Sequence, residues 1–301
     1  MKKTLRGTAA VSCTSACALL FALAFPAVAT AQSAPANAGP EALQAKYLAV
    51  KPQLAGNTFG RPLVLVSNET SDRLSGDIYA VIDHPFADVG RELQSPAVWC
   101  EVLMLHLNTK HCAVGPAKDS LAVAVGRKFD QPLEDAQGID FGYRVQQARA
   151  DYLDVRMSAA SGPLSTRDYR IELEAVPIEG GKTFMHLGYA YAYGTAARLA
   201  MKGYLATIGS DKVGFTSTGS GAQGKPELVG GVRGVVERNT MRYYLAIDAY
   251  LDAPGLQRRD ARAAQWFDAT ERYALQLHEV ERSDYMEMKK KEFIRLEGSS
   301  K

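Results

Sequence analysis

The sequence predicts an α+β fold built on a largely antiparallel sheet. Three observations carry this. Extended runs cluster between about residues 107 and 193 with helical stretches on either side, and nothing alternates strand with helix. Two of these runs, "RDYRIELEAVPI" and "KTFMHLGYAYAYG", flank Gly180-Gly181, a strong hairpin signal. The chain then closes on a helical stripe, Ala263, Trp266, Phe267, Thr270, Tyr273, Ala274, Leu277 and Val280, within a long helix expected from about Leu256 to Leu296.

The first thirty-one residues read as a cleaved export signal. Lys2, Lys3 and Arg6 make a basic start, an apolar run follows to Val28, and Ala29-Thr30-Ala31 has the small-x-small form of a cleavage site. Three of the 35 Lys and Arg residues lie in this segment and none of the 33 Asp and Glu, so cleavage turns a net charge of +2 into a slightly negative one. A near-neutral mature chain gives no general case for nucleic-acid binding. The expected location is across the inner membrane, in a bacterial periplasm. Cys100 and Cys112 alone survive cleavage, and in an oxidising compartment they are expected to form one structural disulfide.

Residues 32–59 are expected to be a linker and a short helix, "EALQAKYLAV", opened by Pro40 at its first position. Residues 60–301 form the main domain. "RPLVLVSNETSDRLSGDIYAVID" is extended, "PFADVGRELQ" and "SPAVWCEVLML" are short helices, and six extended runs follow up to Gly194. "TAARLAMKGYLATIG" is an inserted amphipathic helix, and "KVGFTST" and "GVVERNTMRYYLAIDAYL" read as strands. The end of the last helix, "KKKEFIRLE", is charged and is expected to leave the body of the domain.

The hairpin register decides where three tyrosines point. A two-residue loop would set Glu172 opposite Tyr189 and mix charges among the rings. A three-residue loop, Gly180-Gly181-Lys182, pairs Tyr169, Ile171, Leu173 and Ala175 with Tyr193, Tyr191, Tyr189 and Leu187. Only that choice yields one apolar and one polar face, which is how burial fixes register. The tyrosines then look inward and His186 is a solvated residue of the outer face. In the late strand, Glu237, Asn239, Met241 and Tyr243 share the more apolar, inward side. Inward tyrosines need partners for their hydroxyls: either one another and trapped water in a plain core, or a ligand in a cavity.

The order of elements, the "AVIDHPFADV" entry from strand to helix and the terminal helix resemble the START-like, or helix-grip, superfamily over about residues 60 to 296. The resemblance implies a curved antiparallel sheet gripping the long C-terminal helix, with an apolar cavity between them. It further implies a lipid-like or other apolar ligand, or cyclase or aromatase activity in the same cavity. The N-terminal helix and the inserted amphipathic helix depart from the minimal pattern.

Other motifs fail on chemistry. "GSGAQGKP" has the glycine spacing of a phosphate loop, but Pro226 replaces the hydroxyl residue and no amphipathic helix follows, so it reads as a hairpin loop. His106, His111 and Cys112 span a helix end and a strand start and are not expected to converge on a metal. No cofactor is implied.

The expectation is an exported protein that binds or carries an apolar small molecule or lipid. Tyr169, Ile171, Leu173, Tyr189, Tyr191, Tyr193, Met241 and Tyr243 would form the wall, with Glu237 and Asn239 fixing a polar group. In the enzymatic alternative Glu237 is the base or Tyr243 the proton donor. In a third reading the core is filled and the terminal helix docks a partner in the envelope; the sequence identifies no such protein. Arg198 and Lys202, on the polar side of the inserted helix, would make a transient contact with a membrane surface.

Overall fold

The computed structural model describes residues 39–298, other than 196–197, 200, 202, 204–211 and 222–223. The export segment and Lys202 lie outside the described residues. Helix α1, Pro40–Ala55, comes first and runs through Pro52. Strands β1, Leu63–Glu69, and β2, Arg73–Ile82, form a hairpin. Helices α2, Phe86–Leu93, and α3, Pro96–Leu103, follow. Six more strands complete the sheet: β3 Thr109–Val114, β4 Ser120–Val125, β5 Gln137–Ala148, β6 Leu153–Ser161, β7 Thr166–Ile178 and β8 Lys182–Tyr193. All eight pair antiparallel, in the order β1-β2-β8-β7-β6-β5-β4-β3. Register shifts in β3, β5 and β7 bend the sheet, as extra residues in a ladder do.

The hairpin of β7 and β8 turns on Glu179-Gly180-Gly181, with Ile178 opposite Lys182. Gly180 and Gly181 both have positive φ, which glycine adopts without strain. The register therefore lies two residues from the expected one. Leu173 meets Leu187, and Ile171 meets Tyr189. A shift of two preserves every face, so Tyr189, Tyr191 and Tyr193 are buried on the inner side as expected.

"GVVERNTMRYYLAIDAYL" is not a strand. Helix α4, Gly231–Asp252, spans it and lies across β1, β2 and β8. Apolar residues of both parities mimic a strand here, because α4 is covered on most sides: the sheet lies beneath, with α3 and α5, Arg259–Glu271, against it. Twenty-two residues is also too long for an ordinary strand. Gly76 on β2 lets α4 sit close, because a Cβ there would collide with Thr240 Oγ1.

A sheet holding one long helix is the helix-grip arrangement, but the helix it grips is α4, ahead of the stretch expected. The Leu256–Leu296 stretch is broken into α5, α6 (Ala274–Leu277) and α7 (Arg282–Gly298). Helix α7 does not leave the body. Tyr285, Met288, Lys289, Glu292 and Phe293 are buried, and Lys289 donates to the carbonyls of His106 and Thr109. Trp266 on α5 donates to the Arg242 carbonyl at 3.0 Å and stacks on Tyr285.

The two cysteines form the Cys100–Cys112 disulfide, which ties α3 to β3. A loop of that length stabilises by about 3 kcal/mol. Short strands β9, Ser217–Ser220, and β10, Pro226–Leu228, pair antiparallel on either side of the "GSGAQGKP" turn. Among the described residues no helix is long and apolar enough to cross a membrane.

Candidate functional site

A cavity of about 180 Å³ lies between the inner face of the sheet and α4. Its walls are apolar: Leu103, Val123, Val125, Ile139, Phe141 and Ile171. Its polar groups are all uncharged types: His106, Asn108, Thr109, Asn239 and the hydroxyls of Tyr169, Tyr189 and Tyr243. Asn108, Val125 and Pro163 also line a surface groove of about 410 Å³, so these three residues stand where the cavity adjoins the exterior.

Rings run along one side of this space in sequence. His106 and Tyr243 have centroids 5.1 Å apart, Tyr243 and Tyr189 5.3 Å, Tyr189 and Tyr191 5.6 Å, and Tyr191 stacks on Tyr169 at 5.4 Å. Phe141 meets Tyr169 edge-on. Tyr169 shares a hydrogen bond with Thr166 at 2.6 Å. The hydroxyls of Tyr189 and Tyr243 make no hydrogen bond with a described residue. Burial pushes both phenols up, so they are neutral donors.

His106 is held by its backbone. Its Nδ1 accepts from the Asn108 amide at 3.1 Å, which places the ring proton on Nε2. Burial, reinforced by the nearby charges of Arg242 and Lys289, holds the ring well below the usual histidine range, so it is neutral. Nε2 is buried, with the Asn239 side chain as a polar neighbour. Asn108 is fixed in turn, donating through Nδ2 to the Gly126 carbonyl at 2.6 Å. Lysine 289 anchors the same turn from below through its bonds to the His106 and Thr109 carbonyls.

Of the ten residues expected to line the cavity, Tyr169, Ile171, Tyr189, Asn239 and Tyr243 do so, and Leu173, Tyr191, Tyr193, Glu237 and Met241 do not. The helix explains the division on α4. Asn239 and Tyr243 lie one turn apart and face the cavity together, while Glu237 and Met241, also one turn apart, are rotated some 200° from them. Glu237 is fully buried elsewhere. Its carboxylate accepts from Ser67 Oγ at 2.5 Å, from the amides of Phe215 and Thr216 at 2.6 and 3.0 Å, and from Thr216 Oγ1 at 2.7 Å. It is a brace between α4, β1 and the segment before β9, and it neither reaches the cavity nor has a free lone pair for a base. Tyr193 donates to the Thr70 carbonyl at 3.2 Å. Arg198 donates to the Ser71 carbonyl and lies over the Tyr193 ring, so its cation serves the fold.

His106, Phe141 and Ile139 were missed. They reach the cavity through the order of strands in the sheet, which local patterning does not contain. The outer face was also misjudged. His186 is not solvated: α1 covers that face with Leu43, Val50 and Leu54 against Tyr152, Val176 and Phe184. Under this cover His186 lies between Asp77 and Glu174, with Tyr79 stacked on it at 4.5 Å.

Among the described residues no group of three or more His, Cys, Asp or Glu side chains is arranged to hold a metal.

Three solved structures share features of this fold. The chain is similar to a START superfamily protein from Mycobacterium smegmatis (TM-score 0.30, 8% identity, 46% of this chain and 93% of that one). It is similar to a truncated norcoclaurine synthase from Thalictrum flavum (TM-score 0.33, 11% identity, 48% and 93%). It is also similar to CalU16 from Micromonospora echinospora (TM-score 0.28, 11% identity, 69% and 96%). The likeness is one of fold. Scores this low add no argument, and the helix-grip assignment rests on the chain's own sheet order and on α4. No protein-family model matches the sequence, and no curated protein does.

Proposed function

We propose that this chain is an exported binding protein for a small, uncharged, largely apolar molecule held between the sheet and α4. The observation that carries this reading is the lining of the cavity: apolar walls with a few convergent polar groups and no carboxylate, lysine or arginine. That is the composition of a ligand pocket. Its volume falls below the ~300 Å³ at which drug-sized pockets begin, which favours a compact molecule over a lipid or sterol. The basic and apolar opening of the sequence, with Ala29-Thr30-Ala31, supports export.

The test is native mass spectrometry of the mature protein purified without detergent, followed by organic extraction. A small-molecule adduct is expected. It should be lost in Val123→Phe, which fills the cavity from one wall. A protein that carries no adduct and binds no small aromatic probe overturns the reading. Export is checked separately by sequencing the N-terminus of the periplasmic protein, expected at Gln32.

A further inference from the structure

Several polar groups of the cavity spend their protons within its own wall. Thr166 Oγ1 donates to the Pro163 carbonyl, and it has only one proton to give. Its 2.6 Å bond with the Tyr169 hydroxyl is therefore donated by the tyrosine. Asn108 donates through Nδ2 to the Gly126 carbonyl, and the Asn239 side chain is the polar neighbour of the His106 ring. The phenols of Tyr189, on β8, and Tyr243, on α4, differ from these: neither hydroxyl bonds a described residue. Both residues line the cavity, their rings meet edge-on at 5.3 Å, and Tyr189 is only 8% exposed. Burial keeps both protonated, so each has a proton to donate. A buried donor without an acceptor is costly, and in a native structure it needs an explanation.

We propose, on the reading above that the cavity binds a ligand, that Tyr189 and Tyr243 set its specificity by donating to it. The ligand is then a neutral molecule of about one ring that bears a hydrogen-bond-accepting oxygen, as a ketone, ester or ether does. One donor comes from the sheet and the other from the helix it grips. No bridging atom is required, since each phenol takes a lone pair wherever the ligand presents one. A hydrocarbon in the same place would seal both phenols from water without giving them an acceptor, which costs their full desolvation. A charged ligand fits less well, because no lysine, arginine or carboxylate lines the cavity. The cations nearest His106 already have carboxylates: Arg242 is bonded to Glu279 at 2.8 Å and Lys289 to Glu292 at 2.7 Å. Size agrees, since an apolar cavity of about 150 Å³ takes a benzene ring, and this one, at about 180 Å³, has room for a short substituent besides.

Acetophenone, ethylbenzene and benzoate are close in size and differ at one group, and each can be titrated calorimetrically into the mature chain. Acetophenone should bind about tenfold tighter than ethylbenzene, the worth of one good hydrogen bond, and benzoate should bind no tighter than ethylbenzene. The ratio of the acetophenone and ethylbenzene affinities is the readout, because a loss of packing weakens both probes alike. Tyr189→Phe and Tyr243→Phe should each bring that ratio down toward one. Equal binding of the two probes by the unaltered protein, or a ratio that either variant leaves in full, overturns the donor assignment and leaves the binding reading standing. Benzoate binding tightest overturns it in favour of an anion. Failure of all three probes removes the binding reading, and this inference with it. Should either variant fail to fold, the infrared carbonyl band of ¹³C-labelled acetophenone bound to the unaltered protein decides: it must lie below its position in a hydrocarbon solvent, and an unshifted band overturns the assignment.

Discussion

His186 Nε2 lies 2.9 Å from Asp77 Oδ1, across the β2–β8 ladder and beneath α1. Nδ1 of the same ring lies 3.2 Å from Glu174. Burial opposes the charged ring, yet the hydrogen bonds to Asp77 and Glu174 hold its pKa up at about 9, against 6.5 for a free histidine. Tyr152 donates to Glu174, and Arg156 bonds Asp154 and Glu172, so the ion pair continues across β6 and β7.

The sign follows from proton counts. Between the two pKa values the folded state holds a proton that the unfolded state has lost. The stabilisation is therefore complete below pH 6.5 and is lost as pH rises through about 9. Its full size is roughly 3 kcal/mol. The difference in denaturant stability between the unaltered protein and His186→Gln should be large at low pH and shrink steadily through that window. A difference that does not change with pH would remove the charged-imidazole assignment.

Gly76 and Thr240 make a second, independent test. A methyl at Gly76 collides with Thr240 Oγ1 and comes within 3.2 Å of its Cβ. Oγ1 is already bonded to the Val236 carbonyl at 2.8 Å and cannot swing freely. Gly76→Ala is expected to cost about 1–3 kcal/mol by lifting α4 from the sheet. Adding Thr240→Ala should restore part of that loss, and thermal melts of the two singles and the double give the coupling. If the losses simply add, the close approach is not what Gly76 provides.

Glu237 braces α4 and takes no part in the cavity. Glu237→Ala strips four donors of their acceptor, two of them backbone amides, and should cost roughly 3 kcal/mol. Glu237→Gln keeps the size and loses less. In that milder variant the small-molecule adduct seen by native mass spectrometry should be retained. A loss of the adduct without a loss of stability would return Glu237 to the binding site.

Much of the fold was legible because the strands of an antiparallel sheet alternate. The tyrosines of "GYAYAYG" and the charges of Arg170, Glu172 and Glu174 could only be separated by an even-numbered register, so the inward face survived an error of two residues. Alternation failed at α4, where a helix buried on several sides has no polar face to betray its period, and Glu237 was carried to the wrong side with it. His106 was seen only as a doubtful metal ligand. A single side chain on a turn has no period, and its surroundings come from α4, α7 and the sheet together. The cover over His186 did leave a trace: Leu43, Tyr47, Val50 and Leu54 fall at helical spacing, a stripe that required a buried surface.

Glu292 is bonded to the lysine, Lys289, whose pH dependence has the opposite sign. It lies fully buried between Lys110, at 2.9 Å, and Lys289, at 2.7 Å. Burial lowers the Lys289 pKa to about 8, despite the attraction of Glu292. Between that value and the free lysine's 10.5 the unfolded state binds the extra proton, so this residue makes the protein more stable as pH rises. Glu292→Gln removes the one carboxylate bonded to both lysines. The neutral variant should lose about 3–5 kcal/mol near neutral pH, as expected when a buried ion pair is broken from one side. Without the carboxylate the Lys289 pKa falls further, so part of that loss should be recovered as pH rises and Lys289 sheds its proton. Denaturant melts of both proteins from neutral to alkaline pH check this. A deficit that is constant or grows with pH would mean that Lys289 is not charged in the fold.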